Sequence, residues 1–284
     1  MRATDLMDMA TRAILGSKLR SVLTLVGIVA GVASIIAVMT AIAVVQSTME
    51  KEMSILGAQV FQVQKWPAGF NSDEQRRRAM RRPPLTLDDA NAIREQVATV
   101  DLVGSELWDF GYTVEYKGES TNPNVSICGG TPEYPPNNTH YVGLGRNLSQ
   151  MDVQGARRVV VIGHAIAQKL FPFTDPIDKE IRVDGRKYQI VGVFDEKKSA
   201  FGSGYDNYVL IPITAFLSTY GLTSRDGFAR SVNITVRAKS PELIDDAIAE
   251  TRQVLRRERF IDLDEVEIAE RQLAPHEPRH QMLE

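Results

Sequence analysis

Between Ser21 and Met49 the chain carries no charged side chain, and the centre of that stretch, Val22 to Val45, is predominantly apolar. As a helix rising 1.5 Å per residue, a run of about 24 residues is roughly 36 Å long, which exceeds a hydrocarbon core of about 30 Å and allows some tilt. A buried helix of a soluble protein is the bland alternative, but such a helix is rarely apolar on every face for so long. A cleaved signal peptide is the nearer rival, because Ala41-Ile42-Ala43 has the A-x-A form of a cleavage site. The apolar run before it is longer than a signal peptide's usual core. The favoured reading is an uncleaved transmembrane helix over 21–49.

Basic residues set its expected orientation. Arg2, Arg12, Lys18 and Arg20 precede the span, whereas Lys51 and Lys65 follow it closely. The positive-inside rule puts the N-terminus in the cytoplasm and residues 50 onward outside. Within 1–20, Leu6, Met7, Ala10 and Ile14 recur at helical spacing with Asp5, Asp8 and Arg12 between them, which reads as a short amphipathic helix on the inner face. Gly27 and Gly31 make a G-x-x-x-G, a pattern that lets another helix approach closely.

After the span, a strand is expected near Ala58 to Gln64, and the basic run RRRAMRRPP reads as a solvated loop. Thr86 and Asp89 form a capping box opening the helix LDDANAIREQV. Leu107 to Tyr116 has the aromatic-rich composition of a strand, and a short strand is expected at Val125 to Cys128. RVVVIG is a buried-type strand followed directly by the helix HAIAQKLF, and EIRVDGRKYQIVGVF is a hairpin turning at Asp184-Gly185. YVLIPI and SVNITVRA are further strands. SPELIDDAIAETRQVLRRE is a helix with Ser240 as N-cap and Pro241 at its first position, and DEVEIAE is a last short strand. Helix–strand units thus flank mainly β material, which defines an α+β fold.

The sequence carries no motif for phosphate, dinucleotide, acyl-transfer or zinc chemistry that its context supports. There is no G-x-x-x-x-G-K-[ST] to cradle ATP phosphates. Phe201 to Gly204 lacks the spacing of a nucleophile elbow, and Gly143-Leu144-Gly145 has Leu148 where a dinucleotide fingerprint needs its third glycine. Gly163-His164 joins a strand to a helix, where backbone N–H groups can hold an anion, but no second phosphate-binding feature accompanies the turn. HEPRH at 276–280 has the form H-E-x-x-H, yet Pro278 between His276 and His280 opposes the uninterrupted helix that a zinc site needs. No catalytic residue, metal or cofactor is assigned. A net charge of −3 gives no global basic field, so nucleic acid is not an expected partner. The single cysteine, Cys128, excludes an internal disulfide.

LRSVLTLVGIVAGVASIIAVM, ICGGTPEY (127–134), GRNLS (145–149), the block 157–197 and YVLIPI together resemble the MacB-type ABC transporter permeases, a group that includes macrolide exporters and relatives of the lipoprotein-releasing, FtsX-like permeases. Gly163, Asp178 and Gly185 are the turn positions of the shared motifs. Where the family usually reads D-P-I-G, this chain has Asp175-Pro176-Ile177-Asp178, and aspartate tolerates the left-handed conformation there.

The resemblance implies a permease without catalytic residues of its own, placed in the cell inner membrane. It implies a periplasmic core domain over 50–272 with two lobes: an outer β-α-β lobe at about 55–115 and 206–272, and an inserted β-rich lobe at about 116–205. Residues 273–284 read as an irregular tail. A homodimer, an ABC-type ATPase subunit, a periplasmic adaptor protein and membrane lipid are the implied partners. Family members continue with three more membrane helices, so the chain reads either as part of a longer permease or as a single-span relative. The rival class is a stand-alone membrane-anchored binding or sensor module.

Overall fold

The computed structural model describes residues 18–54, 59–66, 73–197, 206–225, 227–259 and 267–269. The amphipathic segment read over Leu6 to Ile14, the Phe201–Gly204 turn, His276, His280 and the tail 273–284 lie outside the described residues. The chain divides into two compact units that meet at residues 53 and 54.

Helix α1 (Lys18–Ser54) carries the apolar run, and within it Val22–Val44 is long and apolar enough to cross a membrane, with a mean hydropathy of 2.6. Three of its hydroxyls bond to their own helix: Thr24 Oγ1 donates to Arg20 O at 2.9 Å, Ser34 Oγ to Ala30 O at 2.8 Å and Thr40 Oγ1 to Ile36 O at 2.8 Å. A hydroxyl satisfied by the carbonyl one turn back avoids most of the cost of entering hydrocarbon. A Cβ at Gly27 or Gly31 would meet no atom within 4 Å.

In the second unit the strands are β1 (Val60–Gln64), β2 (Val100–Tyr112), β3 (Val114–Tyr116), β4 (Glu119–Ser120), β5 (Val125–Gly130), β6 (Val142–Gly145), β7 (Val159–Ile162), β8 (Glu180–Val183), β9 (Arg186–Phe194), β10 (Tyr208–Pro212), β11 (Asn233–Ala238) and β12 (Glu267–Ala269). Among the described residues these twelve form one sheet in the order β12-β1-β11-β2-β5-β10-β7-β9-β8-β3-β4, with β6 also pairing on β9. The helices are α2 (Asp73–Arg81), α3 (Leu87–Gln96), α4 (Tyr134–Asn137), α5 (Gln150–Gln154), α6 (His164–Leu170), α7 (Ile213–Tyr220) and α8 (Ile244–Arg259). The mixture confirms the α+β reading.

The alternation of side chains decides what covers each part of this sheet. In β1 and β11, Phe61, Val63, Ile234 and Val236 join the main core, where helices α3 and α8 pack, while Gln62, Asn233 and Thr235 occupy the other face. In β7 and β10 both faces are apolar. Val160, Ile162, Val209 and Ile211 belong to the main core; Val159, Val161, Tyr208 and Leu210 join a second cluster with Cys128 and Phe194. The outer strands therefore have one apolar face and the central strands two. The stretches assigned by sequence to separate lobes share this sheet, since β5 pairs with both β2 and β10.

Local signals explain several elements. At α3, Thr86 Oγ1 accepts from Asp89 N at 3.3 Å, while Thr86 N donates to Asp89 Oδ2 at 2.7 Å, completing the capping box. The basic run differs from expectation. It forms α2 instead of a loop, because acidic residues open the helix, Arg81 closes it favourably for the dipole, and the buried Ala79 packs inward. The helix ends before Pro83-Pro84. Residues Pro241–Leu243 form a 3₁₀ turn before α8, and Ser240 precedes it without a side-chain capping bond, so the expected α-helical start lies at Ile244. The strand expected at Leu107 to Tyr116 begins earlier and is interrupted at Thr113, one residue after a stretch where Gly111 adopts φ 84°.

Candidate functional site

The motif positions fall in three separate turns. Asp178 adopts φ 62°, and its N–H donates to Ile190 O at 2.9 Å while Oδ1 accepts from Gln189 Nε2 at 3.1 Å. Asp184 and Gly185 adopt φ 51° and 71°, the positive values a type I′ hairpin turn requires at both central residues. Gly163 needs its glycine for a different reason. Its φ is an ordinary −68°, but a Cβ there would stand 2.1 Å from Asp206 O. The position is fixed by close backbone approach between β7 and the segment entering β10. His164 follows, half-buried on the first turn of α6, with Nε2 2.8 Å from Gln168 Nε2.

A cleft of about 650 Å³ opens beside the Gly163-His164 turn, lined by Leu144, His164, Gln168, Phe171, Phe194 and Asp195 among others. Its walls are mostly apolar, and no metal-binding group of three or more His, Cys, Asp or Glu side chains occurs among the described residues.

The densest polar arrangement lies on the other face of the outer strands, around a residue that the sequence reading does not single out. Glu106 is central in β2, opposite Asn233 of β11 and Gly130 of β5, and is 4% exposed. Gln62 Nε2 of β1 donates to its Oε1 at 2.7 Å, and side chains of Trp108, Asn233 and Tyr134 also hydrogen-bond to it. Burial pushes its carboxyl up to about 7, and these hydrogen bonds limit the rise. Helix α4 delivers Tyr134 because it lies directly on β2. A Cβ at Gly104 would stand 2.9 Å from the Tyr134 backbone, so glycine permits that approach. Asn137 Nδ2 donates to Thr235 O at 3.0 Å and secures the other end of the helix.

Polar contacts continue inward from Tyr134. Its hydroxyl engages Cys128 of β5 and Tyr208 of β10. Tyr208 Oη lies 2.7 Å from His140 Nδ1, and Lys197 Nζ lies 3.2 Å from His140 Nε2 and donates to Asn138 O at 3.1 Å. A charged ammonium can only donate, so Nε2 accepts, the imidazole proton sits on Nδ1, and Nδ1–H donates to Tyr208 Oη. Burial and then the Lys197 charge push His140 down to about 3, holding it neutral. Aromatic rings enclose the chain: Trp108 meets Tyr208 at 5.4 Å, and Phe194 stacks on Tyr208 at 5.2 Å. The available sequence signal is in SELWDFGY, where Glu106, Trp108 and Phe110 alternate with Ser105 and Leu107.

Among the described residues, an α+β domain follows an apolar helix of membrane-spanning length. The family profile for the MacB-like periplasmic core domain matches residues 21–254, and the chain belongs to that family. A "Macrolide export ATP-binding/permease protein MacB" of Rhodopirellula baltica is 28% identical over 280 residues, covering 89% of this chain and 40% of the relative. An "Uncharacterized ABC transporter permease YvrN" of Bacillus subtilis is 27% identical over 246 residues, covering 83% of this chain and 57% of the relative. The chain thus spans well under two thirds of these relatives. The crystal structure of the periplasmic region of MacB from Actinobacillus actinomycetemcomitans superposes with a TM-score of 0.60 at 18% identity, over 76% of this chain and 90% of that one. The extracellular domain of the ABC-type transporter YknZ from Gram-positive bacteria gives 0.56 at 21% identity, over 74% of this chain and 98% of that one. These likenesses confirm the fold.

Proposed function

We propose that this chain is the first membrane helix and extracytoplasmic core of a MacB-type permease, which couples an ABC ATPase to export or extraction of a substrate on the outer side of the membrane. One observation carries the reading: the family match extends from Ser21, in the apolar helix, to Val254, in α8. Helix and core domain therefore belong together as one inherited unit. The names of relatives that combine "ATP-binding" with "permease" support an ATPase partner. With no G-x-x-x-x-G-K-[ST] in this sequence, hydrolysis falls to another subunit or domain.

In this reading residues 1–20 are cytoplasmic, α1 crosses the inner membrane once and the sheet domain lies outside, in accord with the excess of basic residues before the span. The outer lobe comprises about 55–115 and 206–272, with 116–205 inserted. Two copies pair, Gly27 and Gly31 offering a close helix contact, and an adaptor protein docks outside. Gly163, Asp178 and Gly185 serve the core by shaping its turns.

The test is co-purification. The complete reading frame containing this chain, expressed in its own host and placed in lipid nanodiscs, is expected to retain an ABC ATPase and raise its hydrolysis rate severalfold. A preparation that retains no ATPase and leaves hydrolysis unchanged favours the rival, a membrane-anchored sensor or binding module. Orientation is tested separately with Ser120→Cys, at an exposed position on β4. An impermeant maleimide is expected to label it in cells whose outer barrier is opened, and protection until the inner membrane is lysed would reverse the topology.

A further inference from the structure

A carboxylate withdrawn from water normally faces a cation. Among the described residues Glu106 faces none; its partners Gln62, Asn233, Trp108 and Tyr134 are neutral. They come from β1, β11, β2 and α4, and through Tyr134 the contacts reach Cys128 of β5 and Tyr208 of β10. Glu106 thus occupies the seam where outer strands with one apolar face meet central strands with two.

We propose that Glu106 is a proton-operated latch on this seam: protonated, it keeps α4 and β5 closed on β2, and ionised, it draws water in and loosens them. A protonated carboxyl carries one donor and can be satisfied by a turned amide of Gln62 or Asn233. An ionised one has donors but no counter-charge, so conformations that admit water become relatively more stable.

The surroundings leave this titration to Glu106. On β5, α4 and β10 the facing groups are Cys128, Tyr134 and Tyr208, all pushed up by burial and all therefore neutral near pH 7. His140 is held neutral behind Tyr208, with Lys197 beyond it. Glu133 precedes α4. The remaining charges on β2 and β11 are paired, Arg237 with Asp101 at 2.6 Å and Asp109 with Arg230 at 2.6 Å. Because burial raises the Glu106 carboxyl to about 7, the protonated form is favoured by the fold. Its contribution is present in full below the unfolded value, near 4.3, and is lost as pH rises through about 7.

The inference is independent of the transport reading, and its test needs no partner protein. Cys128 is the chain's single cysteine, is fully buried on the seam, and reports opening through its rate of reaction with a thiol reagent. Wild type and Glu106→Gln are compared at each pH; an ionised Glu106 raises the Cys128 thiol, so the difference in thiolate fraction opposes the rise that opening would give. The ratio of wild-type to variant rate is expected to rise about tenfold between pH 6 and pH 8. A ratio that stays flat overturns the latch. The second measurement uses wild type alone. Its infrared spectrum should keep a buried carboxylic C=O band that disappears around neutrality, and loss of that band below pH 5 would equally overturn the proposal.

Discussion

Asp152 and Glu106 are both carboxylates removed from water, yet their surroundings drive them in opposite directions. The Asp152 side chain is fully buried at the start of α5, where Arg146 reaches it at 2.7 Å and Arg157 at 3.1 Å. Its Oδ2 also accepts from Ser149 N, at 2.9 Å, while Ser149 Oγ accepts from Asp152 N. Burial alone would raise its pKa, but hydrogen bonds from Arg146 and Ser149 overcome that and lower it to about 2. Glu106 is hydrogen-bonded as well, but only by neutral side chains, and rises to about 7. Hydrogen bonds moderate the cost of a buried charge; a nearby cation reverses it.

The signs on stability are therefore opposite. The contribution of Asp152 is present above the unfolded value, near 3.9, and is lost as pH falls through about 2. That of Glu106 is lost as pH rises. The largest effect is expected of Asp152→Ala, which removes a capping box and the partner of two arginines. It is expected to cost about 2–3 kcal/mol, read from the urea midpoint at pH 7. The loss of stability that Asp152 causes in strong acid should vanish with it. Arg146→Ala leaves Arg157 and the capping bonds in place and should cost about 1 kcal/mol, with the Asp152 titration moving up in an NMR pH series. A smaller change sharpens the contrast from the other side. Gln62→Lys sets an ammonium beside Glu106 from a half-buried position, and should lower its titration by about one pH unit while shifting stability by about 0.5 kcal/mol. A carboxyl that titrates unchanged in this variant would show that a cation is not what separates the two sites.

These two sites were unequally legible. Ser149-x-x-Asp152 is a capping pattern of the same form as Thr86-x-x-Asp89, and it passes unread because it sits in a stretch rich in glycine, proline and asparagine. The Glu106 site leaves only the alternation in SELWDFGY, which marks a strand and not a site. Its partners Gln62, Tyr134 and Asn233 are far apart in sequence and meet through strand order, which local periodicity does not encode. Features that depend on neighbouring residues fared better. The apolar span, the two-faced strand at Val159–Ile162, the positive-φ turn at Asp184-Gly185 and the alternating strand at Asn233–Ala238 all follow from side chains within a few positions of each other. Gly163 is intermediate: the turn was expected, but the reason for its glycine, the Asp206 carbonyl, comes from a distant segment.

The hydroxyls of α1 carry a consequence for the company this helix keeps. Thr24, Ser34 and Thr40 have each committed their proton to a carbonyl four residues back. In the proposed membrane assembly, what these positions would offer a neighbour is mainly contour, with open space at Gly27 and Gly31 between bulkier valines, leucines and isoleucines. Recognition by contour is gentle and reversible, since each dispersion contact is small and lipid tails compete for the same surface. A helix paired in that way would exchange neighbours, or slide against one, without breaking the hydrogen bonds of Thr24, Ser34 and Thr40.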